Sequence, residues 1–165
     1  MAAVKFISES MIEKGIKANY ALGGITAHMV KMHEEGLIKR LIDVQSFDKV
    51  AAESVKNNEF HNEVSASEYA AADEQGSATH YLDIVILSAL EVDVYFNVNV
   101  LVGSDGIIRG AIGGHPDTAA DSALSIIVCP LLRGRIPCVV DKVTTLITPG
   151  ATVDVVVTEY GIAVN

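Results

Sequence analysis

A set of short, unbroken apolar runs restricts what this chain can fold into more than any other feature. Leu82 to Leu90, Leu124 to Val128 and Val153 to Val157 are built almost wholly from Leu, Ile and Val, broken only by a lone Asp, Ser or Ala. None approaches the roughly 18–20 residues that a bilayer span requires. Continuous runs of this length suit strands buried on both faces of a parallel sheet. Upstream, apolar periodicity and glycine stops predict helices over 4–15, 26–35 and from Ser46 or Asp48 to Lys56. Strands are expected over 16–22 (stopped by Gly23-Gly24), 37–44 and 61–66, then a helical turn over 67–72 and an exposed loop over 73–79. This alternation predicts one α/β domain over 1–165, with a mostly parallel sheet, right-handed crossovers and helices on both faces. Leu82–Leu90 reads as its central strand. Shorter strands are expected at 95–102 and 107–108, an edge or antiparallel strand at 138–148, and a last buried strand at 153–157.

Charge narrows the function. The net charge of −9 argues against binding the nucleic-acid backbone, and without Trp there is little to stack bases on. An anionic substrate would have to be met by local donors. Mean hydropathy is +0.35, which the buried strands account for without a membrane. Cys129 and Cys138 have no metal-ligand spacing and read as buried thiols in a reducing compartment. The N-terminus lacks the order of a secretion signal, so a cytoplasmic location is expected. His28 and His33 are five apart, the wrong spacing for one helical face, and no metal site is expected.

The stretch from Gly103 to Asp121 carries five glycines and ends in Pro116-Asp117-Thr118, a helix start. A glycine loop entering a helix can bring main-chain N–H groups close to an anion, or can simply be a tight connection. Gly113-Gly114 and Gly23-Gly24 are candidate backbone donors. His115, directly after the second pair, can hydrogen-bond an anionic ligand or can cap the turn. Glu91 and Asp93 lie at a strand's carboxyl end, where ligands collect in α/β sheets. As acids they would repel a carboxylate, and a structural role suits them better. Asp117 reads as a helix cap. Arg109, Arg133 and Arg135 are the cations near these loops, able to hold a carboxylate bidentately or to face solvent.

Several segments in this order resemble the α subunit of citrate lyase, its citrate CoA-transferase component, and more loosely the CoA-transferase superfamily. They include Gly-Ile-Lys-Ala-Asn-Tyr-Ala-Leu-Gly-Gly-Ile-Thr (15–26), Ser-Ala-Ser-Glu-Tyr-Ala (65–70) and Asp-Ile-Val-Ile-Leu-Ser-Ala-Leu-Glu-Val-Asp (83–93). The Gly-Gly-His loop, Leu-Leu-Arg-Gly-Arg-Ile-Pro (131–137) and the closing Val-Thr-Glu-Tyr-Gly (157–161) continue the match. The resemblance implies a CoA-transferase-like α/β fold and a place in the C-terminal part of a longer, two-half chain. It implies exchange of acetate for citrate on the pantetheine (dephospho-CoA-type) thioester of an acyl-carrier subunit, with no cofactor bound by this chain. A β subunit then cleaves the citryl thioester. The expected partners are these two subunits, citrate and acetate, and further copies of the chain.

Related CoA-transferases carry the acyl group on a glutamate, which spacing would place near 20–24. The chain has no carboxylate there, in keeping with direct transfer, unless the spacing is off by a few residues. The expected site is His115, Gly113 and Gly114 for chemistry, with Gly23, Gly24, Ser88, Glu91, Asn97, Arg109, Gly110 and Glu159 for binding. Ala71-Ala72, Ile112, Pro116 and Tyr95 depart from the family pattern. The competing readings are a scaffold domain that keeps the fold for assembly, and a sugar-phosphate isomerase-like domain, for which no acid/base pair is evident.

Overall fold

Caps and glycines begin and end the first elements. The computed structural model describes residues 2–71 and 76–165, and the chain divides into two compact units, 1–69 and 70–165. In the first, α1 (Ala2–Lys14) stops at Gly15, whose φ of +64° is the left-handed backbone that closes helices. β1 (Ala18–Ile25), α2 (Ala27–Glu34), β2 (Ile38–Ser46), α3 (Lys49–Asn57), β3 (His61–Glu63) and the short α4 (Ala66–Tyr69) follow. The strands pair in parallel in the order β1-β2-β3, with α2 and α3 as the crossovers such pairing requires. Asp48 accepts from Ala27 N at 2.6 Å and from Ala51 N at 2.9 Å. One carboxylate thus serves the first turns of both α2 and α3, and these backbone bonds hold its pKa below the ordinary range. Ile25, Val30, Met32, Leu37, Ile38, Leu41 and Ala51 form the core of this unit.

β1 is longer than the sequence suggests. Gly23-Gly24 does not end it but forms a bulge, with φ of +113° at Gly23 and a register shift against β2 between the two glycines. A Cβ on Gly24 would lie 1.9 Å from the Phe47 ring, which is exposed and can swing aside. A Cβ on Gly23 meets nothing closer than 3.4 Å but would need a backbone conformation that only glycine adopts readily. Gly23→Ala is therefore expected to cost about 1–2 kcal/mol and Gly24→Ala at most about 1 kcal/mol. Chemical denaturation of the two variants checks the order, and equal losses would refute it.

A buried polar cluster sits inside the first unit. The side chain of His61 is 0% exposed and that of Asp43 1%. His61 Nε2 lies 3.4 Å from Asp43 Oδ2, and Nδ1 is bonded to Ser54 Oγ at 2.9 Å. Asp43 also accepts from Gln45 N at 2.7 Å and from the Ser46 hydroxyl. His28 and His33, in α2, are bonded separately, to Ser8 Oγ and to the Ile38 carbonyl.

The second unit opens, among the described residues, with a 3-10 turn over Ala78–Tyr81. Ala72 and the first part of the expected exposed loop, 73–75, lie outside the described residues. β4 (Ile84–Ser88), β5 (Glu91–Asp93), β6 (Val98–Asn99), α5 (His115–Asp121), β7 (Leu124–Val128), β8 (Leu132–Arg133), β9 (Ile136–Pro137), β10 (Val139–Val140), β11 (Val155–Thr158) and β12 (Gly161–Val164) follow. The main sheet has the order β12-β11-β7-β4, with β4, β7 and β11 parallel and β12 antiparallel. A second sheet, β10-β5-β6, joins a parallel to an antiparallel pair, and β8-β9 is a hairpin.

The mixed α/β class with parallel pairing holds, and four local expectations are corrected. β4 is an edge strand, not the central one: β7 and β11 take the middle, and Ile84 and Ile86 face outward. The segment 95–102 keeps only two residues of regular strand because Asp93 and Asn97 fold it into a turn, with Phe96 at φ +65°. The segment 138–148 is regular only at Val139–Val140, which runs parallel to β5. The expected strand at 107–108 is reduced to a single bridge between Ile108 and Val102, while β11 is the last buried strand and an exposed β12 follows it after the turn at Glu159-Tyr160.

A polar staple joins the starts of β7 and β11. The fully buried Ser125 donates from N to Asp154 Oδ2 at 2.8 Å and from Oγ to the Thr152 carbonyl at 2.6 Å. Asp154 N returns a bond to Ser125 Oγ at 3.0 Å. Around this, Ala89, Val92, Val98, Ile127, Cys129, Cys138, Val153 and Val156 form the core of the second unit.

Candidate functional site

β4 delivers the chain to one side of a cleft of about 330 Å³ lined by Ser88, Ala89, Leu90, Val100, Arg109, Gly110, Ala111, His115 and Arg133. The opposite wall is the glycine loop, and a buried asparagine builds it. Asn99 Oδ1 accepts from Leu101 N at 3.0 Å and Val102 N at 3.1 Å, while Nδ2 donates to the Val102 carbonyl and to Glu91 Oε2. The turn is closed by the Val102–Ile108 bridge and by Gly103 N donating to the Ile107 carbonyl at 2.8 Å. Gly110 then passes so close to the neighbouring chain that a Cβ there would lie 2.1 Å from the Val100 carbonyl oxygen. A side chain is excluded at this point, which explains the glycine.

His115 opens α5, with Gly114 as its N-cap. Its Nε2 is 2.9 Å from the Ser88 carbonyl and its Nδ1 2.7 Å from Thr148 Oγ1. A carbonyl only accepts, so Nε2 carries the proton and Nδ1 accepts from the threonine hydroxyl. Burial pushes the His115 pKa down, which favours the same neutral tautomer. The ring therefore ties the end of β4 to the start of α5 and presents no positive charge to the cleft. The backbone N–H groups of Ala111, Ile112, Gly113 and Gly114 have no acceptor among the described residues.

The two guanidiniums of the cleft differ. Arg109 is held by both oxygens of Asp105, with Nη2 donating to Oδ2 at 2.6 Å and Nη1 pairing with Oδ1. This pairing draws the Asp105 pKa down to about 2. Arg133, on β8, donates from Nη2 to the Ala89 carbonyl at 2.8 Å and forms no salt bridge among the described residues.

The structure thus brings together Ser88, Arg109, Gly110 and His115, with Gly113 and Gly114 directly before the histidine. Other expected site residues are committed internally. Glu91 accepts from Asn99 Nδ2, Thr144 N and Thr144 Oγ1, and is 4% exposed. Asn97 bridges Asp93 and Gly150 N. Glu159 receives Leu131 N on both oxygens and so supports the turn after Pro130 from the surface. Gly23 and Gly24 form the bulge of the first unit. Ile112 and Tyr95 are exposed, and Pro116 occupies the first turn of α5. The sequence reading passed over Asn99 and Thr148. Asn99 had a signal, a polar residue inside an apolar alternation, whereas Thr148 is brought to His115 only by the fold.

Both cysteines are free and buried, and burial pushes the Cys129 thiol up to about 11 and raises Cys138 as well. Thiols so far from ionising are poor nucleophiles. Among the described residues no helix is long and apolar enough to cross a membrane.

A cleft of this make-up at the carboxyl end of a parallel strand belongs to an α/β fold of the CoA-transferase type. 4-Hydroxybutyrate CoA-transferase from Porphyromonas gingivalis shares this fold at a TM-score of 0.63 and 19% identity, over 96% of this chain and 40% of that one. The match to one family is far tighter. The family model for citrate lyase, alpha subunit (CitF), matches residues 1–165, and the chain belongs to that family. The citrate lyase alpha chain of Haemophilus influenzae is 59% identical over 165 residues, which are 100% of this chain and 33% of that protein. The proposed alpha subunit of citrate lyase from Streptococcus mutans, solved in complex with citrate, superposes with a TM-score of 0.94 at 57% identity, covering 99% of this chain and 32% of that one. The chain spans about a third of the length of the curated relatives it matches.

Proposed function

We propose that this chain is the C-terminal part of a citrate CoA-transferase, and that its cleft takes part in moving an acyl carrier's thioester from acetate to citrate. The observation that carries the reading is the cleft wall: Ala111, whose N–H has no acceptor among the described residues and begins a run of four such amides, lines it together with a guanidinium that has no carboxylate partner there. The citrate-bound relative supports the choice of carboxylate. In direct exchange, a citrate carboxylate oxygen attacks the acetyl thioester carbonyl. The C–S bond breaks and releases thiolate and a mixed anhydride. The thiolate then attacks the citryl carbonyl, a new C–S bond forms and acetate leaves. Atoms and charge balance without a proton or a protein nucleophile. Each attack builds an oxyanion, which preorganised amide donors stabilise. His115, neutral and held at both nitrogens, fixes the start of that loop.

The acyl carrier and the citryl-cleaving subunit are the partners this reaction needs, in a cytoplasmic, oligomeric assembly. The test incubates the protein that carries this chain with an acetylated acyl carrier and citrate, and follows the carrier by mass spectrometry. The reading expects stoichiometric citryl thioester and free acetate. Hydrolysis alone, or no change, would favour the scaffold reading.

A further inference from the structure

We propose that Arg133 binds a carboxylate of the substrate that does not react, so that this residue sets the preference of the cleft for a polycarboxylate over a monocarboxylate. The inference rests on the proposed function and names the specificity element of the same site.

The charges of the cleft point to this division of work. Arg109 and Arg133 both line it, but Asp105 occupies the Arg109 fork on both nitrogens. A substrate carboxylate reaching Arg109 would have to displace an ionised side chain that is four residues away and already aligned. Among the described residues the Arg133 guanidinium has one bond, from Nη2 to the Ala89 carbonyl at 2.8 Å, which fixes the group at the cleft rim. The rest of its fork has no acceptor among the described residues, and a planar fork of N–H donors matches a carboxylate bidentately. The other unengaged donor that lines the cleft, the Ala111 amide, is neutral.

Such an arrangement sorts the carboxylates of one molecule. A carboxylate gripped by a guanidinium has its lone pairs occupied and is a poor nucleophile. A carboxylate facing a neutral amide keeps its nucleophilicity, and the same amide receives the oxyanion once it forms. A polycarboxylate can fill both places at once, whereas acetate can fill only one. In a chain of net charge −9, a tricarboxylate gains no help from the overall field, so the local guanidinium carries the discrimination.

Arg135 supplies the control. It lies in the same β8-β9 turn and carries the same charge, but it does not line the cleft. The experiment uses the assembled, active protein. It measures kcat/KM for citrate and, by isotope exchange, for acetate against the same acetyl thioester. Arg133→Gln retains a donor for the Ala89 carbonyl and removes the charge. It is expected to lower the citrate-to-acetate ratio of kcat/KM about 10- to 100-fold, through the citrate KM, with Arg133→Lys intermediate. Arg135→Gln is expected to leave the ratio within about twofold.

A ratio unchanged in Arg133→Gln overturns the inference alone, and so does a parallel loss of both activities in the Gln and Lys variants, which would mark Arg133 as part of the reacting centre or of the fold. Equal effects at Arg133 and Arg135 overturn it as well, since net charge would then explain the change. A wild-type protein that exchanges acetate but never accepts citrate removes the proposed function and the inference together.

Discussion

A Gly110→Ala protein is expected to fold with a distorted cleft and to lose at least about a hundredfold in transfer rate. A Cβ at this position would stand 2.1 Å from the Val100 carbonyl oxygen. The obstacle is backbone on the far side of the loop, not a side-chain tip that can rotate, so one of the two strands of chain must retreat by an ångström or more. Val100 and Gly110 both line the cleft, and the amides of 111–114 follow directly. Displacement of reacting or stabilising groups by about 1 Å costs on the order of a hundredfold in rate. Overpacking of this kind costs about 1–3 kcal/mol of stability or more. Thioester exchange and a denaturation curve measure the two effects separately. A variant with wild-type rate would mean that the Gly110 loop does not hold the donors.

His61→Ala is the second large effect, and it falls on stability. Asp43 is buried with His61 as its neighbour at 3.4 Å. Removing the buried ring opens a cavity and takes away the partner of the Ser54 hydroxyl, which costs about 2–5 kcal/mol. The pH dependence follows from the direction of the His61 shift. Burial lowers its folded-state pKa below the ordinary histidine value of 6.5, against the attraction of Asp43. Below about 6.5 the unfolded chain takes up the proton before the folded one does. The stability that His61 contributes is therefore complete above about pH 6.5 and drains away as pH falls toward the lower folded value. His115 is shifted in the same direction and adds to the same window. Melting temperatures between pH 8 and 5 should fall on the acid side in the wild type, and less steeply in His61→Ala, which starts lower. Parallel curves would show that His61 is not the titrating group.

The helix boundaries were largely readable in advance, because capping and left-handed glycine are local effects. Gly15 and Asp48 act where the sequence places them. The position of a strand within its sheet was not readable. Leu82–Leu90 is as apolar as a central strand, yet among the described residues β4 has a neighbour on one side only, because order in a sheet is decided by crossovers between distant segments. The glycine pairs show the same limit. Gly23-Gly24 and Gly113-Gly114 look alike as sequence, but one is a bulge inside a strand and the other enters a helix. In the site, the clustering of Ser88, Gly110 and His115 follows from the ordered motifs. The commitment of Glu91 to Asn99 and Thr144, and of Arg109 to Asp105, depends on loop closures that no local pattern announces.

The Ser125–Asp154 staple has a consequence for how the main sheet finds its alignment. Ser-Ile-Ile-Val and Val-Val-Val are nearly uniform strings, and sliding one past the other by two residues would keep every side chain on its own face at little cost in apolar packing. The staple removes that degeneracy. In one alignment alone the buried serine meets the aspartate and the Thr152 carbonyl, and in any other its hydroxyl is buried without those partners. Two polar side chains thus act as an index mark, turning a pair of interchangeable ribbons into a single fit.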